Sequence, residues 1–427
     1  MLRLKSQKDW IERAAHVLPG GGFGNFDPSV FISEGRGSRV WDENKKEYVD
    51  YLIGSGPMLL GHGHPEVIEA VIEQLPKGMT FFTNNTLGVE LAEEICSAVK
   101  CAEQVRYVSS GGEADMYAIR LARAYTGKNK IIKFEGGYHG MSAEALMSLA
   151  PKKLTNFPQA VPDSAGIPES VQSEVLVAPF NDAEFVKSLI AEYKDEVAAI
   201  IVEPLQRLIP PNVGFLDELR QQCDEHGILL IFDEIVTGFR FAYGGAQEHY
   251  KVTPDICTLG KVIGGGFPLA AVVGSVEIMQ HFDKSKVGEE GFLMQLGTLS
   301  GNPVACVAGL KTMEILIREY SHKKMRDDGK KLKAMFKKYL EPTGIDFKVL
   351  GDDTLFDVVF ASKNIKNYRD YISANSDLYQ KFNTSLRANG VFKSPGKFYI
   401  SSVLTQDDLT LTENAIQAAV NDIVRHS

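Results

Sequence analysis

The middle of the chain alternates two kinds of hydrophobic pattern. Gln104–Val108 and Lys130–Phe134 read as short strands, and residues 198–202 and 228–232 are continuous apolar runs. Runs of that length without polar alternation fit strands buried on both faces of a parallel sheet. Residues 113–125 and Phe215–His226 have helical patterns instead. Strands and helices in turn predict an α/β domain. The pattern differs at both ends. Residues 5–17 suggest a helix that stops at Pro19-Gly-Gly-Gly22, followed by strand-like runs at 30–32, 38–41 and 47–51 with a turn at 42–45. After Pro303 come helical segments at 304–319 and 323–340, short strands at 347–350 and 356–360, and helices at 368–389 and 409–425. The expected architecture is a large domain (59–305) with a central, mostly parallel sheet. A smaller α+β domain is built from both chain ends (1–58 and 306–427).

The 427 residues, 44% of them hydrophobic, are ample for a large core. A net charge of -9 argues against nucleic acid as a partner. No apolar run is long enough to span a bilayer. The basic start, Met1-Leu-Arg-Leu-Lys5, is followed by no apolar signal region, and the five cysteines are scattered. A cytoplasmic protein with reduced thiols is expected. His62 and His64 stand two apart with no third candidate ligand, so a structural turn before Pro65 is expected there and no metal.

The candidate chemistry lies at the ends of the apolar runs. Asp233 follows the run at 228–232, where an open α/β sheet binds its ligands. A carboxylate there can pair with a pyridinium nitrogen, or simply cap a helix. Lys261 follows a strand-like run at 256–260 and precedes Gly264-Gly-Gly266. A lysine between an apolar strand and a glycine turn is easily desolvated, which favours imine chemistry. The order and spacing of Asp233 and Lys261 suit an enzyme that uses pyridoxal 5'-phosphate. Ser110, Gly111 and Gly112 open a helix after a strand, a place for a phosphate. Tyr138 and His139 lie in a glycine turn where an aromatic ring can stack on a pyridine. Glu203 ends the run at 198–202, and Thr298 in a small-residue loop is a candidate phosphate donor. Arg207, Lys393 and Lys397 are candidate anion binders at the mouth of the site, with Arg207 the tentative substrate residue.

In order, Gly35-Arg-Gly-Ser-Arg-Val-Trp-Asp42, Leu60-Gly-His-Gly-His-Pro65, Ser110-Gly-Gly-Glu-Ala114, Tyr138-His-Gly140, Val202-Glu-Pro204, Phe232-Asp-Glu234, Leu259-Gly-Lys261 and Gly297-Thr-Leu-Ser-Gly-Asn-Pro303 cover nearly the whole chain. Together they resemble the class III pyridoxal-phosphate-dependent aminotransferases, most of all the glutamate-1-semialdehyde 2,1-aminomutase branch. The resemblance implies a fold-type I enzyme and a homodimer with shared active sites. It implies that Lys261 carries the cofactor imine, Asp233 pairs with the pyridine nitrogen and Tyr138 stacks on the ring. Ser110, Gly111 and Gly112 would hold the phosphate, with Thr298 reaching over from the partner subunit. The chain departs from the branch in substrate-facing segments. Gly21-Gly-Phe-Gly-Asn-Phe-Asp-Pro-Ser29 lacks the arginine expected there, Leu205-Gln-Arg-Leu-Ile209 and Phe398-Tyr-Ile-Ser-Ser402 differ, and Gly112 stands where a threonine is usual. The expected activity is transfer of an amino group from an amine or amino acid to an aldehyde or ketone. The missing arginine points away from a plain α-amino-acid acceptor, toward an amino sugar, β-amino acid or phosphonate. An aminomutase, lyase or racemase on the same scaffold is the alternative, with a non-catalytic scaffold protein behind it.

Overall fold

The computed structural model describes residues 6–425, so Lys5 lies outside the described residues. The first helix, Gln7–Val17, is started by Ser6, whose side chain and Asp9 cap each other's backbone N–H groups. Three antiparallel strands follow: β1 (Ile32–Arg36), β2 (Arg39–Asp42) and β3 (Glu47–Asp50). Pairing begins at Ile32 and not at Val30, because the Val30 N–H donates to Asp27 O and closes a turn there. The histidine segment is a turn into the helix Pro65–Gln74, and His62 Nε2 lies 2.6 Å from Asp50 Oδ2.

The central sheet contains β4 (Gln104–Val108), β5 (Lys130–Phe134), β6 (Val175–Ala178), β7 (Val197–Val202), β8 (Leu229–Asp233), β9 (Ile256–Leu259) and β10 (Ala270–Gly274). Their order is β4-β10-β9-β8-β7-β5-β6. β6, β5, β7, β8 and β9 run parallel, while β10 is antiparallel to both β9 and β4. The sheet is the mostly parallel one expected of fold type I. Successive residues of β8 serve opposite faces. Leu230 and Phe232 join the cluster of Phe134, Val202 and Phe215, whereas Leu229 and Ile231 join Ala118, Leu121 and Ala122. Burial of each Leu, Ile or Phe contributes roughly 1.5–3 kcal/mol, so the interior strands are fixed by packing on both faces.

The C-terminal part contains the helices Pro303–Arg318, Ser321–Leu340, Tyr368–Ile372, Ser376–Ala388 and Gln406–Arg425. Its strands are β11 (Lys348–Asp352), β12 (Leu355–Val359), β13 (Val391–Phe392) and β14 (Phe398–Tyr399). The single helix read from 368–389 is two. Asn375 interrupts it, its N–H donating to Phe360 O while its side chain accepts from Leu378 N–H and caps the second helix. β14 pairs with β12, and β13 pairs in parallel with β3, so one sheet holds strands from distant parts of the chain.

The short turn Lys261–Gly264 packs on the helix Pro303–Arg318 at Gly309, where a Cβ would lie 2.0 Å from Ile263 O. Glycine there lets helix and turn meet backbone to backbone. Gly309→Ala is therefore expected to lower stability by about 1–3 kcal/mol, the usual cost of overpacking. A urea midpoint equal to that of the wild type would show that the turn yields freely.

Candidate active site

The carboxyl ends of the parallel strands open on a cavity of about 770 Å³. β8 delivers Asp233, β7 leads into Glu203, and β9 leads through Gly260 to Lys261. β4 opens to the same side and leads to Ser110 and the helix Gly111–Thr126.

Asp233 is buried. Its Oδ2 lies 2.8 Å from His139 Nδ1, and its Oδ1 accepts from the Ile235 N–H at 3.1 Å. The segment after it is a turn, so Asp233 caps no helix. Lys261 adopts a φ of 48°, a left-handed conformation that costs an L residue of order 1–3 kcal/mol. Burial holds its ammonium below the ordinary lysine pKa.

Ser110 is the N-cap of its helix. Its hydroxyl accepts from the Glu113 N–H, and the Glu113 carboxylate accepts from the Ser109 and Ser110 N–H groups at 2.8 and 3.0 Å. Gly111 and Gly112 form the first turn, whose N–H groups have no intrahelical acceptor. A Cβ on Gly111 would lie 2.9 Å from Ile235 Cγ2, and one on Gly140, at φ 83°, would lie 2.4 Å from Gly112 Cα. Two glycine backbones thus touch where the usual threonine is missing.

The loop that carries Gly140 also carries Tyr138 and His139. Beneath it, buried Lys133 donates to Ala145 O at 2.8 Å and Gly137 O at 3.3 Å, and burial pulls its pKa down to about 7. The Tyr138 ring stands in the cavity wall, 49% exposed, and its N–H donates to Glu203 Oε2 at 2.8 Å. Burial raises the Glu203 pKa.

Several sequence expectations change. His139, read as a cofactor contact, lies behind Asp233 and outside the cavity wall, 1% exposed. Arg207 does not face the cavity. Its Nε and Nη2 donate to Gly136 O and Leu149 O, each at 2.7 Å, and its guanidinium packs over Tyr368. It is a strut for the loop, satisfied by carbonyls that arrive from remote sequence. Lys393 is likewise removed, with its ammonium 2.7 Å from Asp357 Oδ2 and 2.8 Å from Tyr379 Oη. Lys397 does line the cavity. Thr298 lies outside the wall formed by this chain, and its carbonyl accepts from Thr80 Oγ1 at 3.3 Å.

Asp115, Tyr399 and Ser55 also line the cavity and escaped the sequence reading. Asp115 left a signal, an acid among Ala114, Ala118 and Leu121 on the buried face of a helix. Its Oδ1 accepts from Thr258 Oγ1 at 2.7 Å. Asp115, His139 and Asp233 each place a polar side-chain atom within 4.8 Å of the others. Burial first, and the Asp233 charge second, raise the Asp115 pKa well above the ordinary value. The folded chain therefore holds a proton that the unfolded chain releases at lower pH. The stability this proton contributes is fully present below the unfolded pKa and declines as pH rises toward the folded one. Asp115→Asn lacks that decline. Across urea titrations from about pH 4 to 9, the stability of the variant relative to the wild type is expected to grow with pH and then level off. A difference independent of pH would mean that Asp115 is ionised throughout.

Residues 24–426 match the family model described as aminotransferase class-III. The chain is 38% identical, over 99% of its own length and all of the relative's, to a glutamate-1-semialdehyde 2,1-aminomutase of Methanosphaera stadtmanae. An omega-transaminase from Sphaerobacter thermophilus superposes with a TM-score of 0.92 at 34% identity, over 98% of each chain. A transaminase with PLP bound superposes at 0.88 and 29% identity, again over 98% of each.

Proposed function

The chain belongs to the class-III aminotransferases, and from that premise we propose that it moves an amino group from an amine or amino-acid donor to an aldehyde or ketone acceptor. Its cofactor is pyridoxal 5'-phosphate. The residues present suit that group. Gly111 and Gly112 leave no side chain over the N-terminal N–H groups of their helix, where a phosphate is favoured. Asp233 offers a buried carboxylate to a protonated ring nitrogen, with Lys261 in the same wall. Bound there, the cofactor supplies a carbonyl that takes up the amino group and a ring that delocalises the electrons freed at the substrate Cα.

The chain's own residues would do the rest. Lys261 would anchor the cofactor and, once released, its Nζ would take the proton from the donor Cα and hold it for return within the same site. Its depressed pKa favours the neutral, basic form. Asp233 holds the ring nitrogen charged, and His139 fixes that carboxylate from behind. Ser110, Gly111 and Gly112 would hold the phosphate and Tyr138 would cover the ring. Glu203 would hold the Tyr138 backbone in place. Thr298, absent from this wall, would serve the partner's site in a homodimer. The large domain (59–305) supplies the strand ends, and the small one (1–58 and 306–427) supplies Ser55, Lys397 and Tyr399. Among the described residues no helix is long and apolar enough to cross a membrane, in keeping with a cytoplasmic enzyme.

One observation carries this reading: a single cavity joins Lys261, Asp233 and the start of the helix at Gly111. An aminomutase is the second reading, favoured by the name of the Methanosphaera stadtmanae relative. The loop Gly21–Ser29 without arginine speaks against it.

The loaded wild type is expected to absorb at roughly 410–430 nm, a property of the lysine-bound cofactor. Lys261→Ala should lack that band and lose about 10²–10⁴-fold or more in kcat. A donor should bleach the wild-type band while releasing its own carbonyl product. A band that persists while substrate is consumed would favour the mutase reading. No band after added pyridoxal phosphate would overturn both.

A further inference from the structure

Lys261 and Lys397 are the basic side chains in the cavity wall, and Lys261 is committed to the cofactor on the reading above. Four carboxylates share that wall, and other groups already engage each of them. Glu113 caps its helix, Asp233 faces His139, Asp115 accepts from Thr258, and Glu203 accepts from the Tyr138 N–H. Among the described residues, Lys397 forms no ion pair within 4.0 Å, in contrast to Lys393, which is bound to Asp357.

Lys397 is also firmly placed. Its N–H donates to Ser394 O at 3.2 Å, and the next residues are β14, held against β12. Its Nζ lies 5.9 Å from the centre of the Tyr399 ring, and that ring is itself covered by the Arg240 guanidinium. Burial alone would lower the Lys397 pKa, but the Tyr399 phenol and the Glu203 carboxylate outweigh it and hold the ammonium charged. With no carboxylate within 4.0 Å among the described residues, that charge is open to an anionic group of a ligand in the cavity, through a charge-assisted hydrogen bond.

Among the described residues, no other part of the chain offers this cavity a cation for the same purpose. The early loop faces elsewhere: Gly24, Asn25, Phe26 and Asp27 line a separate cavity, beside Arg387 and Lys393. Arg207 is occupied by carbonyls. The cavity wall also has apolar side chains, with Leu205, Val236, Met116 and Met141. That wall suits a substrate with an apolar body and one anionic end.

We infer that Lys397 binds the carboxylate of the substrate, so that this enzyme works on amino acids and their oxo-acid counterparts and not on plain amines. The inference rests on the aminotransferase reading for its substrate class. The placement of Lys397 stands apart from it.

The test uses loaded wild-type, Lys397→Met and Lys397→Arg enzymes, each required to show the wild-type cofactor band. Each is given α-, β- and ω-amino acids beside the matching amines that lack the carboxylate. The wild type should convert acids in preference to the matched amines. Lys397→Met should raise KM for the acids about 10- to 100-fold, the range for a lost charge-assisted bond, with kcat within about threefold. It should leave the matched amines unaffected, and Lys397→Arg should recover most of the loss. A second readout needs no turnover. Butyrate and 3-phenylpropanoate carry a carboxylate and no amine, and their binding to the wild type, followed by calorimetry, should weaken by a similar factor in Lys397→Met. Equal KM and equal carboxylate affinity in the two proteins would overturn the assignment while leaving transamination intact. Loss of the cofactor band in both variants would move Lys397 to the cofactor and also overturn it. If no donor bleaches the wild-type band, the transamination reading falls, and the butyrate titration still decides whether Lys397 binds carboxylates.

Discussion

A carboxylate buried at the end of an interior strand is tolerated only where nearby groups compensate its charge, and the surroundings of Asp233 are built to that demand. Lost hydration of a charge costs several kcal/mol unless hydrogen bonds replace it. Here the replacements are the His139 imidazole and the Ile235 N–H. His139 is useful only if its loop is rigid. Lys133 and Arg207 supply that rigidity from beneath by filling the loop's carbonyls, and Gly140 supplies it from the side by seating on Gly112. Asp115 completes the arrangement as a second acid, its pKa raised first by burial and second by the charge of Asp233 beside it.

Cations gather instead around Tyr399. Arg240 is fully buried and donates to the carbonyls of Gly56, Thr354 and Ile400. It lies over Tyr399, with its guanidinium carbon 5.1 Å from the ring centre. Burial alone would raise the Tyr399 pKa, but the cations of Lys397, Lys261 and Arg240 outweigh it and the net shift is downward. The cavity is therefore polarised. Acids and an imidazole cluster around Asp233, and the cations Lys397, Lys261 and Arg240 gather around the Tyr399 phenol.

Much of this was legible in the sequence, for physical reasons that also explain the rest. Phe215–His226, Gln104–Val108 and Lys130–Phe134 follow the pattern residue for residue, because each is packed as its periodicity requires. Val391–Phe392 and Phe398–Tyr399 are too short for any period to register. Ala270–Gly274, a strand that no sequence signal singled out, follows closely on a glycine-rich turn. Lys261 and Asp233 were readable because strand ends and glycine turns are local signals. The employment of Arg207 was not, since its acceptors Gly136 and Leu149 come close only in the folded chain. Asp115 was readable in principle, as an acid in an apolar helical row, but its meaning depends on a strand far along the chain.

The pairing of β3 with β13 has a consequence for how the molecule is made. As the chain leaves the ribosome, β3 appears early, but the strand that covers its open edge waits until residue 391 has emerged. At about 5–20 residues per second, that delay runs to many seconds. Throughout it β3 offers unpaired N–H and C=O groups to any other nascent chain. Val49 and Tyr51, fully buried in the finished protein, stay wet for the same interval. The central sheet, complete by residue 274, is free to form first, which makes the late strand the step at which a slow or crowded cell would lose this protein to aggregation.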